Sequence, residues 1–145
     1  MEIYTIGFTK KSAAEFFGLL RRAGVRRLVD VRLNNTSQLA GFAKCRDLEF
    51  FVKELCGAEY CHEPLLCPSQ EILDAFKKKR ITWQEYERDF RALMEGRRVE
   101  ETVDRRLFDV PAALLCSEPK AERCHRRLAA EYLAEKWGDV KVVHL

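Results

Sequence analysis

One arginine, two cysteines and a histidine carry most of the chemistry this chain could do. Arg32 stands just past the apolar run Leu28-Val29, with Asp30 two positions before it. A guanidinium holds a carboxylate or phosphate through two parallel hydrogen bonds, so Arg32 is the first candidate for gripping an anion. On a strand Asp30 shares its face, and either orients Arg32 toward a ligand or ties the strand end to the next loop. Cys116 closes the apolar run Ala112–Leu115 and is followed by Ser117 and Glu118; Cys124-His125-Arg126 come shortly after. A thiol near a helix start and beside arginine or protonated histidine shifts toward thiolate and becomes nucleophilic. Cys116 and Cys124 are therefore candidate nucleophiles. Cys124 also falls in step with Leu128 and Tyr132, and Cys116 ends a buried run, so both could equally be small core residues. His125 lies about a hundred degrees round the helix from that stripe. It can act as general acid or base, oriented by Glu118 or Asp30, or it can bond Glu118 or Glu122.

Other chemistries fit less well. Val29-Asp30-Val31-Arg32 resembles a structural segment of the rhodanese fold, but no cysteine here heads a six-residue loop closed by arginine. Arg123 falls seven places after Cys116, and Glu122 occupies the arginine position of a Cys-x5-Arg phosphatase loop. A carboxylate there repels phosphate. Cys56, Cys61, His62, Cys67, Cys116, Cys124 and His125 are metal-ligand types, yet the tight spacing of structural zinc sites is absent. Adjacent Cys61 and His62 point to opposite faces of a strand. Metal binding is a minor alternative, and no cofactor is implied.

Composition narrows the class. Lysine and arginine number 26 against 23 acidic residues, a net charge of +3, milder than a dedicated nucleic-acid binder shows. Scattered pairs (Arg21-Arg22, Arg26-Arg27, Arg97-Arg98, Arg105-Arg106, Arg126-Arg127) keep a nucleic-acid module as the alternative function. The longest apolar run, Val110–Cys116, is too short to cross a bilayer, which takes ~20 residues. The start, with Glu2 before a short Ile3–Phe8 run, does not read as a secretory leader. Six cysteines without Cys-x-x-Cys then read as thiols in a reducing cytoplasm.

The elements that must position these residues follow from periodicity. Ile3–Ile6 reads as a strand closed by Gly7, and Ser12 with Glu15 forms a capping box for a helix carrying Phe16, Phe17 and Leu20. Leu28–Val31 is a second strand. A polar loop runs from Leu33 to Arg46 through Asn34, Asn35, Thr36, Ser37 and Gln38. A helix is expected from about Leu48 to Gly57, and a short strand at Glu59–His62. Helices capped by Ser69 and Thr82 follow, then a short one across Val99, Val103 and Leu107. Ala112–Leu115 is a buried strand, Ala121–Trp137 a long helix and Val140–Val143 a last strand. The pattern predicts one α/β domain over residues 1–145, with a central, mostly parallel sheet flanked by helices in a Rossmann-like three-layer sandwich. Ligands of such sheets bind beyond the carboxyl ends of the strands. Gly7, Thr9, Asp30, Arg32, Asn34, Asn35, Cys116 and Glu118 all fall at that rim.

Tyr4-Thr5-Ile6-Gly7, Val29-Asp30-Val31-Arg32, Cys116-Ser117-Glu118 with Cys124-His125-Arg126, and the terminal Val142-Val143-His144 together resemble the signature of domain-of-unknown-function family 488. The resemblance implies a compact cytosolic α/β protein whose distinguishing chemistry is the Asp30/Arg32 and Cys116/Cys124-His125-Arg126 motifs. Phe8 stands where many members carry histidine, and Asn34-Asn35 where a proline is common. The expectation is a small enzyme with an anion pocket at the sheet rim. Arg32, Arg126, Thr9 and the Gly7 loop would grip a phosphate or carboxylate of a nucleotide-like substrate, Asp30, Asn34 and Asn35 would support the grip, and His125 would serve as acid or base.

Overall fold

A computed structural model of the chain describes residues 1–35, 41–118 and 120–145. Strands β1 (Glu2–Gly7), β2 (Arg27–Asp30), β3 (Glu59–His62), β4 (Ala112–Cys116) and β5 (Lys141–His144) form one sheet in the order β3-β2-β4-β1-β5. Every pairing is parallel. Among the described residues six helices connect them: α1 (Ala13–Arg22), α2 (Cys45–Cys56), α3 (Gln70–Lys77), α4 (Trp83–Arg97), α5 (Val99–Thr102) and α6 (His125–Trp137).

Strand alternation decides the layers. Ile6, Leu28, Ala113 and Leu115 pack against Phe16, Phe17 and Leu20 of α1 and Leu48 and Val52 of α2. The opposite-facing Ile3, Val29, Ala112 and Leu114 pack against Phe90 and Met94 of α4, Val99 of α5 and Ala129 and Leu133 of α6. Helices thus cover both faces, as a parallel sheet requires, and the molecule is a three-layer Rossmann-like α/β sandwich. The central strand β4 is buried along its whole length, which is why its sequence is uniformly apolar.

The caps act where the sequence places them. Ser12, Ser69 and Thr82 each accept from a free amide of the first turn. Thr82 with Glu85 forms a reciprocal capping box, whereas the Glu15 carboxylate accepts from the Ser12 hydroxyl instead of its amide, so the box expected there is only half made. Gly57 ends α2 in the left-handed region at φ 60°. Three boundaries differ from expectation. Helix α2 begins at Cys45, before the apolar period starts at Leu48. The Val99–Leu107 segment is two pieces, α5 and a 3-10 turn at Arg105–Phe108, separated where Val103 is extended and Asp104 caps Arg106 N. Helix α6 begins at His125 rather than Ala121, because Cys124 is held extended (φ −138°, ψ 138°) as the chain turns back from β4. Of the expected polar loop, Thr36, Ser37 and Gln38 lie outside the described residues. Among the described residues no helix is long and apolar enough to cross a membrane.

Register brings the candidate residues to one edge. Asp30 of β2 pairs with Leu115 of β4, and Val31 N donates to Leu115 O at 3.1 Å. Gly7 of β1 pairs with Cys116. Arg32 and Cys116 therefore leave the carboxyl edge of the sheet on neighbouring strands. Gly7 has no room for a side chain: a Cβ there would overlap the Glu118 carbonyl and sit 2.9 Å from Arg126 Nη1. Gly7→Ala should consequently cost about 3 kcal/mol or more, at the top of the range for overpacking, because a backbone carbonyl must move. Urea unfolding of the variant checks this; a loss under about 1 kcal/mol would mean the Glu118 turn yields freely.

Candidate active site at the carboxyl rim

Asp30 and Arg32 form a buried ion pair, 0% and 4% exposed. Asp30 Oδ1 accepts from Arg32 N (3.0 Å) and Nε (2.8 Å), and Oδ2 accepts from Arg32 Nη2 (2.7 Å) and the Tyr60 hydroxyl (2.6 Å). Asn35 Nδ2 donates to Tyr60 Oη at 3.3 Å, tying the following loop to the same carboxylate. Burial works to lower the Arg32 pKa, and the Asp30 bonds and charge more than offset it, so the guanidinium pKa is raised. Burial and Asp30 likewise hold the Tyr60 phenol above its ordinary value, keeping it a donor. The Arg32 guanidinium lies 5.3 Å from the Phe8 ring centroid, a cation–π contact. One donor is left over: Arg32 Nη1 is buried and has no hydrogen-bond partner among the described residues. Buried polar groups are almost always paired, so this orphan calls for an explanation.

On the face of the sheet covered by α4 and α6, Cys116 Sγ lies 3.6 Å from His125 Nδ1. The imidazole is clamped from behind, its Nε2 being 2.6 Å from Val31 O. A backbone carbonyl can only accept, so Nε2 carries hydrogen. The neighbouring Cys124 thiol is the largest influence lowering the Cys116 pKa well below the ordinary thiol value; burial opposes it, while His125 and the Ser117 amide reinforce it. Burial and the neighbouring Cys116 push Cys124 well up, so it remains a protonated donor. Burial would lower His125, but the facing Cys116 and the Val31 carbonyl raise it overall. The arrangement is a thiol shifted toward thiolate facing an imidazole shifted toward imidazolium, with a second thiol close beside them. Cys61 and Cys67 make the contrast: burial drives them up to about 11 and about 12.

Both groups line a cavity of about 730 Å³, within the size range of small-molecule sites. Its floor is Arg32, Asn34, Cys116, Ser117, Cys124 and His125. Its other walls come from the α3–α4 hairpin, which supplies Phe76, Lys77, Lys79, Trp83 and Tyr86, and from the exposed Glu118 and Arg123. Trp83 and Tyr86 stack at 5.0 Å between ring centroids. The hairpin wall was not visible in the sequence. Trp83 and Tyr86 have the spacing of a core stripe and Lys77–Arg80 that of a solvated helix end, and nothing in either places them over the rim.

Other expected partners sit elsewhere. Arg126 does not join Arg32: it is 1% exposed, its Nη1 donates to Glu118 O at 2.6 Å beside Gly7, and its Nε has no partner among the described residues. Thr9 is exposed and offers its amide to Ser117 O at 3.0 Å. Neither of these, nor Gly7, lines the cavity. His125 is oriented by the Val31 carbonyl rather than by Glu118, Glu122 or Asp30. His62, at the end of β3, sets Nε2 2.8 Å from Arg32 O and 3.6 Å from Cys67 Sγ. Among the described residues, the donor atoms of Cys116, Cys124 and His125 all lie within 4.8 Å of one another, close enough to share one soft cation. Sequence spacing gave no sign of that convergence, because Cys116 reaches the other two only through the fold.

No curated protein and no solved structure matches the chain. A family model does match, over residues 12–133. That span holds the Val29–Arg32 and Cys116–Arg126 motifs but neither Tyr4–Gly7 nor Val142–His144. Matched over most of its length, and with both site motifs inside the match, the chain belongs to the family described as Domain of unknown function DUF488.

Proposed function

We propose that the protein is a small enzyme that binds an anionic substrate in the rim cavity and acts on it through Cys116. The observation that carries this reading is that one cavity is lined both by the Cys116–His125 couple and by Arg32, whose Nη1 has no hydrogen-bond partner among the described residues. A buried donor without a partner loses the water it had in the unfolded chain. A phosphate or carboxylate oxygen of the substrate would restore that bond, with Lys77, Lys79 and Arg123 adding charge at the mouth. Phe76, Trp83 and Tyr86 suit a flat apolar part, as a nucleotide base has. Cys116 Sγ would then bond to the electrophilic carbon or phosphorus as the bond to the leaving group breaks with its electron pair. His125 gives the leaving group its Nδ1 proton. Attack by water, with His125 recovering a proton, frees the enzyme; attack by another acceptor makes the reaction a transfer. The six free thiols agree with the reducing cytoplasm expected for the chain.

A nucleic-acid-binding module draws less support, since most of the arginine pairs are engaged. Arg27 binds Glu59, Arg105 binds Asp139, Arg106 binds Asp104, Arg127 binds Glu87 and Glu131, and Arg97 binds three backbone carbonyls.

Thermal unfolding against phosphate, carboxylates, nucleotides and short oligonucleotides tests the reading. A ligand at ~100 times its Kd adds ~2.7 kcal/mol, a rise of roughly 5–10 °C for a chain of this size. Arg32→Lys retains a cation for Asp30 but deletes Nη1, so it should fold and lose the small-anion shift. A shift with oligonucleotides alone, abolished by salt, would support the nucleic-acid module instead.

A further inference from the structure

A nucleophile–base couple needs only one thiol, yet a second, Cys124, stands beside Cys116 and His125. It occupies the N-cap of α6, where serine, threonine, aspartate or asparagine would satisfy a free amide, yet its side chain makes no cap bond. It is 2% exposed, and its sulfur lies within 4.8 Å of both Cys116 Sγ and a ring nitrogen of His125. We propose that Cys116 and Cys124 form a redox-active dithiol, in which Cys116 is the thiol a peroxide oxidises and Cys124 the thiol that resolves it as a disulfide.

This rests on Cys116 being the reactive thiol of the cavity, and it adds a second reaction for that atom. The first step joins Cys116 Sγ to one peroxide oxygen as the O–O bond breaks. The departing hydroxide or alkoxide takes the His125 proton, leaving Cys116 as a sulfenic acid. In the second step Cys124 loses its proton and its sulfur attacks Cys116 Sγ, forming the S–S bond and releasing the sulfenic oxygen as water. With hydrogen peroxide the sum is two thiols and one peroxide giving one disulfide and two waters. A thiol in solution reverses it by exchange.

The fold allows the closure. A disulfide needs its sulfurs at ~2.05 Å and its Cβ atoms at ~3.8 Å, so the two side chains must move closer. Among the described residues between them, 117–118 and 120–123 form no helix or strand. Cys124 stands extended ahead of the first turn of α6, so it can shift without unwinding that helix. The disulfide would remove the nucleophile and leave His125 facing a neutral sulfur, so the proposed enzyme would be reversibly shut off.

Chelator-treated, fully reduced protein exposed to a few equivalents of hydrogen peroxide tests this. Wild type should lose the mass of two hydrogens, and peptide mapping should link Cys116 to Cys124. Cys124→Ser, with Cys124→Ala as a second variant, should stop at a sulfenic acid on Cys116 that dimedone captures. Linkage to Cys61 or Cys67, or sulfinic acid on Cys116 of wild type with Cys124 still free, would overturn the proposal. If iodoacetamide alkylates Cys116 at pH 7 while peroxide gives no linkage, the dithiol fails and the nucleophile stands. If neither reagent touches Cys116, both fail.

Discussion

Asp30→Asn is expected to lower the unfolding free energy by about 3–5 kcal/mol, the cost of stranding one partner of a buried ion pair. The amide keeps the shape of the carboxylate and loses its charge, while Arg32 stays 4% exposed with nothing to balance it. Asp30 also holds the Arg32 amide and the Tyr60 hydroxyl, so several bonds weaken together. For this chain length the fall in melting temperature should be roughly 10 °C or more. Tyr60→Phe removes a single bond to the charged group and should cost about 1.5–3 kcal/mol. The double change Asp30→Leu with Arg32→Met should lose less than Asp30→Asn alone, because an apolar pair leaves no buried charge. Denaturant unfolding of the four proteins checks the order. Single-variant losses under 1 kcal/mol would show that water reaches the pair and that Arg32 is not locked in place.

Cys116→Ser should abolish turnover of the proposed substrate, with a loss of about a thousandfold or more, since a hydroxyl beside one imidazole is a far weaker nucleophile than a thiolate. It should also remove the thiol that iodoacetamide labels at pH 7. Cys124→Ser should keep that labelling. His125→Asn should slow it by about 10–100-fold, because Cys116 loses one of the groups that hold its thiolate. The direction with pH follows from the shifts. Cys116 is lowered, so its thiolate persists below the ordinary thiol range and disappears as pH falls through the folded value. His125 is raised, so its imidazolium persists above the ordinary value and disappears as pH rises through the folded one. Turnover should therefore peak between the two. Labelling of Cys61 and Cys67, held up to about 11 and about 12, should wait for strongly alkaline solution.

The layering of the fold was legible because each strand and cap has a local cause. Ala112–Leu115 reads as a buried strand, Thr82 with Glu85 as a helix start, and β-α-β spacing implies parallel pairing. Part of the candidate site's geometry was legible as well. Asp30 and Arg32 lie two apart on one strand, and alternation alone sets them on one face. Cys116 and His125 could be named but not joined, because their 3.6 Å contact needs the turn from β4 into α6. The partner of His125 was missed because it is the Val31 carbonyl, and a backbone group leaves no mark on residue type. Arg126 misled for a related reason: its motif suits anion binding, yet the close pass at Gly7 gives it the Glu118 carbonyl. The start of α6 was misjudged because helical spacing continues through Cys124 although its backbone does not.

The rate of Cys116 alkylation by iodoacetamide in wild type, followed by peptide mapping from about pH 4 to pH 10, tests the central claim most directly. A thiolate held by Cys124 and His125 predicts a rate already level at neutrality that falls only in acid. A rate still climbing through about pH 8.5, as for an ordinary thiol, would contradict it and make Cys116 a core residue beside an unrelated anion pocket.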